Sequence, residues 1–134
     1  MVGGSSNNHT ELYNIETNKW DQVADYTYSK YSHTMPVIWF NEKFIFFGRE
    51  AVIASFDLRT REWSQIGSTL SARYHHNAIQ LPDDSFLVFG GTGQFVTKRC
   101  TWKDDQLECT AQTPSVKDYT AWPEMFYVTE DFCQ

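Results

Sequence analysis

A short pattern of apolar residues followed by glycine recurs three times along this chain, and it constrains the fold more than any other feature. The glycines stand at Gly3, Gly48 and Gly90, at intervals of 45 and 42 residues. The stretch SFLVFGGTGQF, at residues 85–95, shows the pattern most clearly. Self-similarity with a period of about 20–50 residues is typical of solenoids, propellers and repeat arrays. The chain is therefore predicted to contain copies of one structural unit.

Two further markers keep nearly the same period. In each copy an aromatic residue is followed seven positions later by a large apolar residue; the pairs are Tyr13 with Trp20, Phe56 with Trp63, and Trp102 with Cys109. The segment KYSHTMPVI at residues 30–38 aligns with RYHHNAIQL at residues 73–81, with a shift of 43. These markers predict a single domain with repeat units at 1–29, 30–72 and 73–116, followed by an incomplete unit at 117–134.

Each unit is predicted to contain four short antiparallel strands. The first strand is TMPVIWF or NAIQLP, and the second is KFIFFG or SFLVFG, a continuous apolar run that indicates burial on both faces. The third strand ends at the first aromatic residue of each pair, and the fourth begins at the second residue of the pair. No segment keeps a helical period of 3.6 for ten residues, so the predicted fold class is all-β.

Composition and charge exclude some functions. Aromatic residues make up 16% of the chain, which favours strands. The net charge is −6 and no basic cluster is present, which disfavours nucleic-acid binding because phosphates would be repelled. No apolar run approaches the roughly 20 residues that a membrane span requires.

The combined pattern resembles the kelch repeat. An apolar strand, a glycine pair, an aromatic residue, then a tryptophan and an Arg-x-x-His segment follow one another, with Arg73 and His76 carrying the last element. The resemblance covers nearly the whole chain and implies antiparallel four-stranded blades of a partial β-propeller. The rival WD40 pattern is rejected because Ser64 follows Trp63 and no Gly-His pair precedes either tryptophan. Arg49 and Cys109 depart from the kelch pattern.

Ring closure is the difficulty for this interpretation. Propellers contain about 4–8 blades, and this length supplies about three. We expect a fragment of a larger propeller, or a chain that completes a ring by oligomerising. Open strand edges and apolar blade faces would then favour self-association.

The resemblance implies a module that binds a protein or peptide partner. In kelch propellers one rim is built from the loops between strands two and three and the loops between blades. Here these include GREAV, GTGQFV and SQIGSTLSARYHH. The predicted contact residues are Tyr31, Arg49, Arg73, Tyr74 and Gln94, chosen because Arg and Tyr are enriched at binding hot spots.

The alternative is a fragment of a kelch-type enzyme that acts on carbohydrate or uses copper, with Tyr74, His75 and His76 as the candidate residues. No catalytic constellation, zinc-type spacing or cofactor motif is recognisable in the sequence. The enzyme interpretation is therefore the weaker one.

Two sequence features concern the compartment. Cys100 and Cys109 flank a predicted hairpin, where facing strands can approach disulfide distance, and a pair of buried thiols is the alternative. Asn8 begins the triplet NHT, an N-glycosylation acceptor. Both features favour an extracellular or lumenal location over the cytoplasm, although a triplet such as NHT often arises by chance.

Overall fold

The structure is a computed structural model that describes residues 8–28, 35–92 and 96–112. These residues form β-strands and no helix, so within them no helix is available to cross a membrane. The strands are β1 (Glu11–Asn14), β2 (Lys19–Gln22), β3 (Val37–Phe40), β4 (Lys43–Phe47), β5 (Val52–Asp57), β6 (Glu62–Ser68), β7 (Asn77–Gln80), β8 (Phe86–Phe89), β9 (Lys98–Lys103) and β10 (Gln106–Ala111). The predicted all-β class is confirmed for the described residues.

Eight of these strands form one sheet. Strands β3–β6 make an antiparallel four-stranded meander, and β7–β10 make a second one. The last strands of the two meanders, β6 and β10, pair in parallel through Gly67 with Leu107 and Ser68 with Glu108. The two ends of the sheet, β3 and β7, also approach each other. The sheet is therefore nearly closed and resembles a barrel.

The remaining two strands, β1 and β2, form an N-terminal hairpin. Its turn is stabilised by Asn14, whose Oδ1 accepts hydrogen bonds from the backbone N–H groups of Glu16 and Thr17. Asp57, 43 positions later, accepts equivalent bonds from Arg59 and Thr60. The Asn and Asp side chains thus build the same turn in both copies, because short polar side chains can bond to nearby backbone.

The two inner strands of the first meander, β4 and β5, are buried on both faces. Alternate residues of a strand point to opposite faces, so Phe44 and Phe46 lie on one side of β4 and Ile45 and Phe47 on the other. Phe44 and Phe46 belong to the apolar cluster shared with the N-terminal hairpin and the segment that follows it. Ile45 and Phe47 belong to the cluster shared with the second meander. The continuous apolar pattern of this strand follows from its two buried faces.

The aromatic pairs follow the repeat in the first two copies and depart from it in the third. Tyr13 faces Trp20, and Phe56 faces Trp63, each across an antiparallel strand pair. In the third copy, however, Trp102 faces Leu107, and β10 begins at Gln106 rather than at Cys109.

The reason is the length of the turn. Four residues connect the paired positions 57 and 62, whereas Asp104 and Asp105 alone connect Lys103 and Gln106. Both aspartates have positive φ, 49° and 62°, as a tight two-residue hairpin turn requires. The prediction that Cys109 takes the tryptophan position is therefore wrong, and Leu107, which is buried, takes it.

Cys109 instead lies opposite Cys100, and the two side chains are joined by a disulfide with their Cα atoms 4.0 Å apart. Both cysteines are buried in the cluster between the two meanders. The bond therefore closes the β9–β10 hairpin from within the core.

Candidate binding surface

Three connections meet at one end of the sheet. In a meander every second connection lies at the same end, so the β4–β5, β6–β7 and β8–β9 connections come together there. They contain the Gly48 turn, the segment 69–76 and the Gly90–Gly91 turn. We call this end the upper rim. It brings together Arg49, Arg73 and Tyr74, which are predicted contact residues from two different connections.

Arg49 and Tyr74 form a pair on the upper rim. The Cζ atom of the Arg49 guanidinium lies 3.8 Å from the centroid of the Tyr74 ring. Both residues are partly exposed. A guanidinium at this distance from an aromatic face makes a cation–π contact.

Arg73 has a different role from the one predicted for it. Its relative exposure is 0%, so the side chain is not available to a partner at the surface. Its Nη2 donates to the carbonyl O of Val96 at 2.8 Å, and its Nη1 to that of Gly90 at 3.5 Å. Burial lowers the pKa of the guanidinium. Arg73 therefore holds the β8–β9 connection in place from the buried side of the upper rim.

The backbone of the same residue reaches the other connection. The N–H of Arg73 donates to the carbonyl O of Arg49 at 3.0 Å. Tyr74 in turn forms a two-way bridge with Thr92, in which the N–H of Thr92 donates to the Tyr74 carbonyl O at 2.8 Å. The Arg49–Tyr74 pair is thus held from both sides by backbone hydrogen bonds.

His76 joins the two meanders below the rim. Its relative exposure is 4%, and its Nε2 lies 2.9 Å from the carbonyl O of Phe47, the last residue of β4. Because a carbonyl only accepts, Nε2 carries the proton. Burial, followed by the nearby Arg73 cation, lowers the His76 pKa to about 4. The imidazole is therefore neutral at pH 7.

The paired glycines have a steric reason in this arrangement. Gly91 has a φ of +90°, and a Cβ on it would lie 2.5 Å from the Tyr74 carbonyl O. Gly48 is limited in the same way, because a Cβ there would lie 2.8 Å from the carbonyl O of Val52. A side chain at Gly91 would push the β8–β9 connection away from the β6–β7 connection, and one at Gly48 would widen the β4–β5 turn.

Three other residues that the sequence predicted are not part of this described pair. Tyr31 and Gln94 are outside the described residues. Asn8 lies near the N-terminal hairpin, half-buried, where its carbonyl O accepts from the N–H of Tyr26 at 2.7 Å. Thr92 was not selected from the sequence, because its role depends on a bridge to a residue 18 positions away.

A cleft of about 660 Å³ opens at the opposite end of the sheet, between the two meanders. The rings of Phe40 and Trp102 stack beside it, 5.7 Å apart with 18° between their planes. Lys43, Asp84 and Asp105 line it with both signs of charge. Nothing in the repeat pattern indicated a cavity here.

The candidate copper residues do not form a metal centre in the described chain. The Nε2 atom of His76 is occupied by the Phe47 carbonyl, and Tyr74 carries the Arg49 guanidinium on its ring. Within residues 8–28, 35–92 and 96–112, no three His, Cys, Asp or Glu side chains converge as a metal site requires.

Comparison with known proteins gives one short similarity. No protein-family model matches the chain. Over 36 residues the chain is 50% identical to tRNA wybutosine-synthesizing protein 4 of Saccharomyces cerevisiae. The matched stretch covers 27% of this chain and 5% of that protein, so the two are similar over a small part of the relative's length.

Proposed function

We propose that this chain is part of a kelch-type β-propeller that binds a partner protein or peptide through its upper rim. The observation that carries the proposal is the Arg49–Tyr74 pair, partly exposed and held in place by a buried arginine and backbone bonds. Rigid support lowers the entropy that a binding residue loses on association. Arg and Tyr are also the residue types that contribute most at protein interfaces.

The propeller part of the proposal is supported by the repeated local structure. Two copies of the aromatic pair and of the Asx turn recur 43 residues apart, and each meander has the four antiparallel strands of a blade. The first meander also has a neighbour on each face, as an inner blade would. One feature differs from a propeller made of separate blades: two residue pairs join β6 to β10.

The location of the supporting residues favours a rim site over the cleft. Arg73 and His76 are both buried. Arg73 donates to two carbonyls of the β8–β9 connection, and His76 donates to the carbonyl of the last residue of β4. Burying an arginine is costly, and part of the cost is offset because Nη1 and Nη2 of Arg73 donate to the carbonyls of Gly90 and Val96. These two buried side chains therefore fix the backbone directly beneath Arg49 and Tyr74.

A peptide-display library screened against the whole chain tests the rim. A peptide that is enriched and binds by fluorescence anisotropy should lose at least ten-fold in affinity with Arg49→Glu. Arg59→Glu is the matched control, because Arg59 is exposed in the β5–β6 turn at the opposite end. Equal loss with both variants would mean that net charge drives binding, and no loss with Arg49→Glu would refute the rim site.

A second candidate comes from the similarity to the yeast protein. The chain would then be part of a protein that takes part in wybutosine synthesis on tRNA. Its net charge of −6 makes this section a protein-contacting part rather than a tRNA-contacting one. A yeast protein in which the similar 36 residues are exchanged for those of this chain should restore wybutosine in tRNA. Tight binding of the isolated chain to tRNA at about 0.15 M salt would contradict the assignment.

A further inference from the structure

The cleft between the two meanders, at the end opposite the upper rim, has the composition of a small-molecule site. Its volume of about 660 Å³ lies within the range of roughly 300–1,000 Å³ that such sites occupy. Its most buried apolar lining residues are Ile45 and Ile66, which belong to the cluster between the meanders. The stacked rings of Phe40 and Trp102 line it too, and Trp102 is 36% exposed. The cleft therefore offers an apolar interior with an accessible aromatic wall.

Ser55 is a polar residue inside this cleft. It lies on β5 between Ile45 and Ser64, its paired neighbours on the adjoining strands, and all three residues line the cleft. Ser55 is 2% exposed, and within the part of the chain that the structure describes its hydroxyl makes no hydrogen bond. A buried hydroxyl without a partner costs free energy, which a ligand that bonds to it would recover. Ser55 therefore marks the inner end of a binding site.

The charges around the cleft favour a cation. The charged residues that line it are Lys43, Asp84 and Asp105. Nζ of Lys43 lies 3.7 Å from a carboxylate oxygen of Asp57, so this cation is already balanced. Among the described residues neither Asp84 nor Asp105 forms an ion pair, and Asp84 accepts a hydrogen bond from the neutral Nε2 of Gln80 at 3.1 Å. Both aspartates are exposed in hairpin turns, so two carboxylates give the mouth of the cleft a negative potential.

We propose that the cleft binds a small amine whose aromatic ring carries a hydroxyl group at the end opposite the amine. The ring packs beside the Phe40–Trp102 stack, where aromatic groups add to the favourable contact area. The ligand hydroxyl bonds to the buried Ser55, and the ammonium meets Asp84 and Asp105 at the mouth in a charge-assisted contact. This site lies away from the upper rim, and it depends neither on a partner there nor on the propeller interpretation.

Isothermal titration calorimetry of the whole chain with tyramine gives the first test. Tyramine has the three required groups, and each of three related compounds changes one of them. Phenethylamine lacks the hydroxyl, para-ethylphenol lacks the ammonium, and phloretate carries a carboxylate in its place. Tyramine should bind about ten-fold more tightly than each of the three, since each loses one polar contact. Absence of tyramine binding at millimolar concentration, or equal affinity for phloretate, would overturn the proposal.

Two variants locate the ligand in the cleft. Asp105→Asn should weaken tyramine binding about ten-fold by removing one carboxylate. Asp104→Asn is the matched control, because Asp104 belongs to the same turn, also has positive φ, and does not line the cleft. Equal affinities of these two variants would refute the site.

Ser55→Ala tests the inner end of the cleft. It should weaken tyramine binding and leave phenethylamine binding unchanged, because only tyramine has a hydroxyl to lose a partner. An equal loss for both ligands would refute the contact with Ser55. Far-ultraviolet circular dichroism shows that each variant is folded. The rim proposal is judged separately, since Arg49→Glu should change peptide binding and leave the affinity for tyramine unchanged.

Discussion

The imidazole of His76 donates a hydrogen bond from Nε2 to the backbone carbonyl of Phe47, which lies 29 residues earlier and in the other meander. This bond joins the start of β7 to the end of β4. It also fixes the position of Tyr74, two residues before His76, relative to the turn that carries Arg49. A histidine buried in this way contributes to stability only in its neutral form.

Stability should therefore fall in mild acid. The His76 pKa is about 4 in the folded chain, against 6.5 ordinarily, so between these values the unfolded chain binds a proton that the folded chain does not. The free energy of unfolding should be unaffected by His76 above about pH 7.5 and should decrease by about 3 kcal/mol as the pH falls to about 4. Urea unfolding between pH 4.5 and 7.5 measures this slope. His76→Gln keeps a donor for the Phe47 carbonyl and should reduce the slope, and an unchanged slope would contradict the assignment.

Arg73 and Arg49 should respond differently to charge reversal. A glutamate at position 73 would bury a carboxylate against the carbonyls of Gly90 and Val96, and it should lower the free energy of unfolding by on the order of 3 kcal/mol. A glutamate at position 49 replaces a partly exposed residue and should change stability by less than about 1 kcal/mol. Thermal melts of both variants provide the measurement, and a similar loss in both would show that Arg49 is structural.

These two arginines show how far the sequence determines the site. The repeat placed both residues in the connections at one end of the sheet. Arginine is usually exposed, so its type favoured a surface role for both. The burial of Arg73 depends on carbonyls 17 and 23 residues away, and no local pattern encodes such partners.

The strands and turns, like the two arginines, are predictable from the sequence only in part. The sequence predicts the second strand of each copy from its apolar pattern, and it predicts the hairpin turns of the first two copies from their turn residues and the repeat period. The alternation of side chains between the two faces of a strand also follows from the apolar pattern. The third copy departs because its turn is two residues shorter, which shifts the partner of Trp102 from Cys109 to Leu107. The parallel β6–β10 pair depends on how the two meanders meet, which periodicity within one unit does not contain.

The disulfide should contribute measurably to stability. Cys100 and Cys109 close a loop of about ten residues, for which chain entropy predicts about 2–3 kcal/mol. Replacing both cysteines by serine should lower the urea midpoint accordingly. Non-reducing proteolysis and mass spectrometry should yield one peptide pair linked through positions 100 and 109. A free thiol at both positions in non-reduced protein would contradict the bond.

The contact between the N-terminal hairpin unit and the first meander can be measured by a double-mutant cycle. The Nε1 of Trp63 donates to Oγ1 of Thr10 at 2.9 Å, and Thr10 is buried. Trp63→Phe and Thr10→Val should each destabilise the chain, and their coupling energy should be about 0.5–1.5 kcal/mol. Additive effects, with no coupling, would mean that the N-terminal unit does not dock on Trp63 in solution.

The junction between the two meanders depends on Gly67. A Cβ at this position would overlap the carbonyl O of Leu107, and Leu107 is the residue to which Gly67 is paired. The obstacle is backbone, which moves less readily than a side chain, so Gly67→Ala should separate β6 from β10. We expect a loss of about 1–3 kcal/mol in the free energy of unfolding.

Hydrogen exchange should become faster at the amides of residues 67, 68, 107 and 108, while the β9–β10 amides farther along the hairpin keep their protection. Ser68→Ala is the control, because it changes the neighbouring paired residue without adding a Cβ at position 67. If both variants behave alike and the exchange pattern is unchanged, the meanders are not joined through this pair, and the two sheets meet only through their apolar faces.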